Sequence, residues 1–111
     1  MTDPARGSIV SVYAVFADAG EAERIARAVV EERLAACANI LGPCRSIYRW
    51  QGKIEEANEV AAIFKASEAT APRLVARIAA LHSYEVPAIA VWPISEAPDS
   101  YAAWVAAETS A

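Results

Sequence analysis

Arg45-Ser46-Ile47-Tyr48-Arg49-Trp50-Gln51-Gly52-Lys53-Ile54-Glu55-Glu56 is the stretch that sets the fold of this chain. Residues 45–51 alternate Ser46, Tyr48 and Trp50 on one face with Arg45, Ile47, Arg49 and Gln51 on the other, the period of a β-strand. Gly52-Lys53 supplies a turn, and Lys53–Phe64 returns with Ile54, Val60, Ile63 and Phe64, so residues 45–65 read as one long hairpin.

Upstream, Ala36–Leu41 is already strand-like, and Gly42-Pro43 forces an edge position or a bulge between it and the run that follows. The outgoing arm therefore extends from about Ala36 to Gln51 and the return from about Lys53 to Ala66. At ~3.3 Å per residue each arm measures roughly 45 Å. A compact chain of 111 residues has a radius of gyration of roughly 13 Å and a diameter of roughly 34 Å. The hairpin is longer than its own domain, so its tip overhangs and carries Tyr48, Trp50 and Ile54 with it. A solvated two-stranded ribbon is a poor place for such side chains, and a second copy of the chain is the simplest cover. The alternative is an arm curled back at Gly42-Pro43 onto its own helices.

Outward from the hairpin, strand and helix signals alternate. Residues 8–16 are β-branched and aromatic, a strand buried on both faces. Asp18 and Glu21 have capping-box spacing and open a helix to about Leu34, with Ala22, Ile25, Ala26, Val29 and Val30 inward. Ser67 to Thr70 opens a second helix, with Pro72 in its first turn and Leu74, Ile78 and Leu81 as its buried stripe. His82–Pro87 is its exit loop. Ala88–Ile94 forms the fourth strand, stopped by Pro93 and Pro98, and Asp99 or Ser100 caps a last helix carrying Tyr101, Trp104 and Val105. The order is a split βαβ-βαβ, a ferredoxin-like α+β sandwich with an extended central hairpin and a C-terminal helix. Right-handed crossovers place the first and third strands centrally and both longer helices on one face. The other face has nothing from its own chain to cover it.

The totals agree with one domain, residues 1–111 with a core from about 8 to 108. Hydrophobic residues make up 56% and charged residues 22%, which supplies a packed core and argues against disorder. The net charge of −4, with no Lys/Arg run, speaks against nucleic acid and anionic membranes as partners. No segment of 18 or more apolar residues is present to cross a membrane, and Met1–Gly7 lacks the plan of a signal peptide, which points to the cytoplasm. Cys37 and Cys44 lie seven residues apart on extended chain, too far for a disulfide without a sharp reversal, so buried thiols are expected. Cys44, next to Arg45, is the more reactive candidate, and Cys37 reads as a small hydrophobe.

Two blocks resemble the signatures of the CutA family of divalent-cation tolerance proteins. One is Ser46–Glu55 with Glu59 and Lys65; the other is Leu81–Ile89, flanked upstream by a match over Arg33–Ile40. The resemblance runs from about Val10 to Trp104. It implies a homotrimer whose hairpins embrace neighbouring subunits, a cytoplasmic setting, a link to copper and other divalent ions, and no enzymatic reaction. It also implies kinship in fold and trimer with PII-type signalling proteins. Two positions depart from the family pattern: Ala88 follows Pro87 where a Glu is common, and Val12–Val15 lacks a Cys.

Copper or zinc needs three or four ligands, and a chain with one His and two Cys cannot build a His/Cys cage alone. His82 and Glu85 would form half a site, completed by Glu59 or by a neighbouring subunit; the competing reading has His82 cap the last carbonyls of its helix. No resident cofactor is required, and Cu(II) or another divalent cation is the expected ion. Tyr48, Trp50 and Tyr84 either line a ligand cleft or fill a subunit interface. Gly52, Lys53, Glu55, Glu56, Glu59 and Lys65 supply turn residues and cross-strand pairs near that boundary, with Pro87 beside it. No phosphate loop, nucleophile elbow or usable Cys–His pair is present, so no enzyme is expected. The function expected is divalent-ion tolerance through a trimer. A sensor of a small metabolite between subunits, and a trimeric platform for another protein, are the competing classes.

Overall fold

A computed structural model describes residues 8–109. The Met1–Gly7 segment lies outside those residues. Seven elements follow in order: β1 Ile9–Phe16, α1 Ala19–Glu31, β2 Cys37–Trp50, β3 Lys53–Ser67, α2 Ala71–Leu81, β4 Ile89–Pro93 and α3 Asp99–Glu108. The four strands form one sheet in the order β2-β3-β1-β4, so the first and third strands are central, as the crossover rule requires. Every pair is antiparallel. This is the ferredoxin-like α+β plan.

One face of the sheet carries Val10, Val12, Ala14 and Phe16 of β1 beside Ala62, Phe64 and Ala66 of β3. Against them pack Ala22, Ile25, Ala26 and Val29 of α1 and Leu74 and Ile78 of α2. This is the expected core, except that Val30 lies at the helix margin and is exposed. The alternate residues of β1, Ser11 and Tyr13, are only half-buried, so β1 is sealed on one face and partly open on the other.

Helix α1 starts as its sequence dictates: the Glu21 N–H donates to Asp18 Oδ1 at 2.8 Å, and Glu21 Oε1 accepts from the Ala17 N–H at 3.0 Å. It stops at Glu31 rather than Leu34. Arg33 adopts a left-handed conformation, φ 62°, and the N–H groups of Arg33 and Leu34 turn back onto the carbonyls of Val30 and Val29. That is a Schellman ending with an arginine where glycine is usual. The Arg33 guanidinium donates to the Ala107 carbonyl at 2.9 Å, which ties this corner to α3.

Helix α3 corrects the expectation of a bare second face. Cys37, Lys65 and Ser11 are cross-strand neighbours on the face away from the core, and Tyr101 Oη lies 3.8 Å from Cys37 Sγ. Burial, then the Cys37 contact, pushes the Tyr101 phenol up to about 12. Val105 is fully buried. The helix is capped not by Asp99 or Ser100 but by the Pro98 carbonyl, which accepts from Tyr101 and Ala102. Its end is fastened by a hydroxyl cluster: Ser67 N donates to Thr109 Oγ1, and Thr70 Oγ1 donates to the Thr109 carbonyl at 2.6 Å. Beyond this cover, Tyr13 stacks on the exposed Trp92 of β4 at 5.2 Å.

The hairpin turns on Gln51-Gly52, not Gly52-Lys53: Trp50 pairs with Lys53, and both loop residues have positive φ, 50° and 80°. Positive φ at both central residues defines a type I′ turn, whose twist suits a two-residue hairpin. Both options raised by Gly42-Pro43 hold, because β2 is an edge strand and its register shifts between Ile40 and Gly42.

Candidate functional site

Strand β1 pairs with β3 only from Val60 to Ser67, whereas β2 follows β3 from Lys53 to Lys65. Seven pairs, Cys44 with Glu59 through Trp50 with Lys53, therefore extend past the sheet as a two-stranded ribbon, roughly 23 Å long at ~3.3 Å per residue. The molecule measures 47 × 27 × 21 Å and has a radius of gyration of 14.7 Å. The arm does not curl onto its own helices. Ile47 is 68% exposed, Ile54 59%, Tyr48 44% and Trp50 41%. By register, Tyr48 and Trp50 share the ribbon face of Lys53 and Glu55, while Ile47 and Ile54 share the opposite face. The second face also holds the exposed pair of Arg45 with Glu56 at 2.7 Å, braced by Asn58 at 3.1 Å.

At the root of the ribbon the two signature blocks meet. Phe16 pairs with Val60, so Glu59 is the first residue of β3 beyond β1. It is buried, and its Oε2 accepts a hydrogen bond from Tyr84 Oη at 2.7 Å. The Tyr84 backbone N–H donates to His82 Nδ1 at 3.0 Å, and His82 Nε2 donates to the Val15 carbonyl at 2.7 Å. The imidazole stacks on Phe16 at 5.2 Å. Both ring nitrogens are therefore in use. His82 thus reaches across to β1 rather than capping the carbonyls of α2. Partial burial, then the Glu59 carboxylate, raises the Tyr84 phenol well above its ordinary range, with Glu21 and Tyr48 adding to the effect.

Glu21 is the participant that sequence reading misses, having been assigned only to the helix cap. Its Oε2 accepts from the Ser83 N–H at 2.9 Å, which binds α1 to the loop after α2. Burial would raise its carboxyl, but hydrogen bonds from Ser83 and Ala17 outweigh that and hold it below its ordinary value.

The other sequence candidates separate. Lys53, Gly52 and Glu55 sit at the exposed tip, while Lys65 is half-buried between Ser11 and Cys37. Twelve residues of extended strand, roughly 40 Å, divide the two lysines, so they do not line one cleft within a subunit. Pro87 is half-buried, and the following Ala88 carbonyl accepts from the Val15 N–H at 3.2 Å. Glu85 is exposed. Cys37 and Cys44 are free and half-buried. The Arg45 guanidinium is taken by Glu56 and Asn58 on the opposite ribbon face from Cys44, whose thiol lies 3.9 Å from Ser46 Oγ.

Nor do the metal candidates fit an ion within one subunit. His82 has no free nitrogen, Glu59 is engaged by Tyr84, and Glu85 stands apart at the surface. Among the described residues no three His, Cys, Asp or Glu side chains converge as a metal cluster.

Comparison with known proteins places these features in context. The family model of the CutA1 divalent ion tolerance protein matches residues 10–108. The divalent-cation tolerance protein CutA of Thermus thermophilus is 46% identical over 88 residues, covering 79% of this chain and 85% of that protein. Protein CutA of Mus musculus is 38% identical over 99 residues, which is 89% of this chain but only 56% of the mouse protein's length. A solved structure of the Thermus thermophilus divalent cation tolerance protein superposes with a TM-score of 0.89 at 40% identity, covering 92% of this chain and 99% of that one.

Proposed function

The chain belongs to the CutA1 divalent ion tolerance family, and from that premise we propose that it acts without catalysis, as a cytoplasmic homotrimer, in the response to divalent ions such as copper. The observation that carries this reading is the ribbon, seven strand pairs with apolar side chains on both faces and, beyond the Tyr84–Glu59 bond at the root, no third strand of their own domain beside them. A ribbon leaving one copy and landing on a different surface of the next makes a heterologous contact. Such contacts stay finite only when they close, and the three-membered ring implied by the family resemblance is one closure that covers every ribbon. The Tyr13–Trp92 stack and the aromatic ribbon face offer the apolar surface that such packing needs.

Divalent ions enter at the level of the assembly. Among the described residues one subunit supplies no cage, so an ion held by this protein takes ligands from more than one copy, and of the three metal candidates Glu85 is the one exposed to it. Calorimetric titration with Cu(II), paired with native mass spectrometry, tests this. Uptake should appear in the assembled protein and fall when Glu85→Gln is introduced, while His82→Gln leaves it in place. Equal uptake by an isolated subunit, or loss in His82→Gln alone with the fold intact, would contradict the assignment.

A further inference from the structure

We propose that the Tyr84–Glu59 hydrogen bond is a latch that sets the angle at which the ribbon leaves the sheet, and that subunit assembly depends on it; the second half of this statement rests on the oligomeric reading above. Glu59 occupies the one position where β3 has just lost β1 as a neighbour, so no strand on that side limits its swing. Two-stranded ribbons twist and bend readily at such a point. The contact that replaces β1 there is a side chain from elsewhere in the chain. Tyr84 reaches Glu59 at 2.7 Å, and Tyr84 is itself held by His82, which is fixed by the Val15 carbonyl and by stacking on Phe16. The Glu21–Ser83 bond secures the same loop to α1. The root of the ribbon is thus referenced to β1, α1 and the loop after α2 together.

The lever arm makes this angle matter. A swing of about 10° at the root moves the tip of a ribbon roughly 23 Å long by about 4 Å, a whole side-chain contact. A tip displaced that far no longer meets a preformed surface on the next subunit. Tyr84 is therefore a positioning residue for assembly, separate from the side chains that touch the neighbour.

The test compares Tyr84→Phe, Glu59→Ala and their double variant in the full chain. Sedimentation reports assembly, and amide hydrogen exchange follows residues 56–60. The latch predicts that either single change raises the concentration for half-assembly at least tenfold and speeds exchange at the ribbon root at least fivefold. Exchange in β1 should stay unchanged. The double variant should be no worse than the worse single, the mark of two groups acting through one bond. Glu59→Gln, which keeps an acceptor oxygen, should retain most of the wild-type behaviour and serves as the reference should Glu59→Ala unfold. Additive effects, or unchanged exchange at the root, would overturn the latch. If the wild-type chain proves monomeric, the oligomeric reading falls. The exchange experiment still decides the latch in that case.

Discussion

Strand β3 is one continuous extended segment living in two environments. From Val60 to Lys65 it runs between β1 and β2 under two helices, and the core-facing residues Ala62, Phe64 and Ala66 of its inner half have no exposed surface. From Lys53 to Asn58 it has a neighbour on one side only and nothing above or below, and all but Ala57 are exposed. Backbone pairing is unbroken through the change, so hydrogen bonding does not distinguish the halves. Burial does. The inner half is stabilised by its own domain, whereas the outer half keeps apolar side chains for which its own domain offers no cover. On the assembly proposed above, a strand with these two halves stores in its sequence both a fold and a contact.

Substitutions that separate the halves sharpen this contrast. The largest effect belongs to the inner half. Phe64→Ala should cost roughly 3–5 kcal/mol in urea unfolding, from lost transfer energy and the cavity left beneath α1 and α2. Tyr48→Ala with Trp50→Ala should instead leave the far-UV spectrum of the subunit intact while weakening self-association at least tenfold; equal loss of fold from both would erase the distinction.

At the junction, Glu21→Ala should cost roughly 2–3 kcal/mol at neutral pH, because the Ala17 and Ser83 N–H groups lose a charged acceptor. The pH dependence has a definite sign. The folded-state pKa of Glu21 lies below its ordinary value of 4.5, so its contribution is present above that value and is lost as pH falls through the lower one. Stability of Glu21→Gln should accordingly decline less steeply than wild type on acidification, as read by thermal melts from pH 6 to pH 3.

The turn gives the smallest effects. Gly52→Ala forces a Cβ into a φ of 80° and should cost about 1 kcal/mol. Gln51→Asn, at φ 50°, should gain a few tenths, about 0.3 kcal/mol, since Asn tolerates that region better.

Much of this was legible in the chain because the signals were local. The period-two run at Ser46, Tyr48 and Trp50, the turn glycine and the Gly42-Pro43 break describe a long hairpin whatever surrounds it. Asp18 and Glu21 announce the start of α1, and the apolar periods of α1 and α2 give the core. What escaped depends on distant partners. The left-handed Arg33 is held by a carbonyl of α3, and glycine, the usual marker for such an ending, is absent. Helix α3 settles on the second face through Tyr101, Val105 and Thr109, whose partners Cys37, Ser67 and Thr70 are far away in sequence. His82 looked like a ligand by composition, yet the fold uses both of its nitrogens internally. Glu59 and Tyr84 appeared as separate candidates, and only the register of β1 against β3 brings them to one point.

Sedimentation equilibrium of the full chain at micromolar concentration tests the central claim most directly. An assembly through overhanging ribbons predicts a single species of three times 11.8 kDa, about 35 kDa, closed as a ring. A species of 11.8 kDa that persists as concentration rises would contradict it.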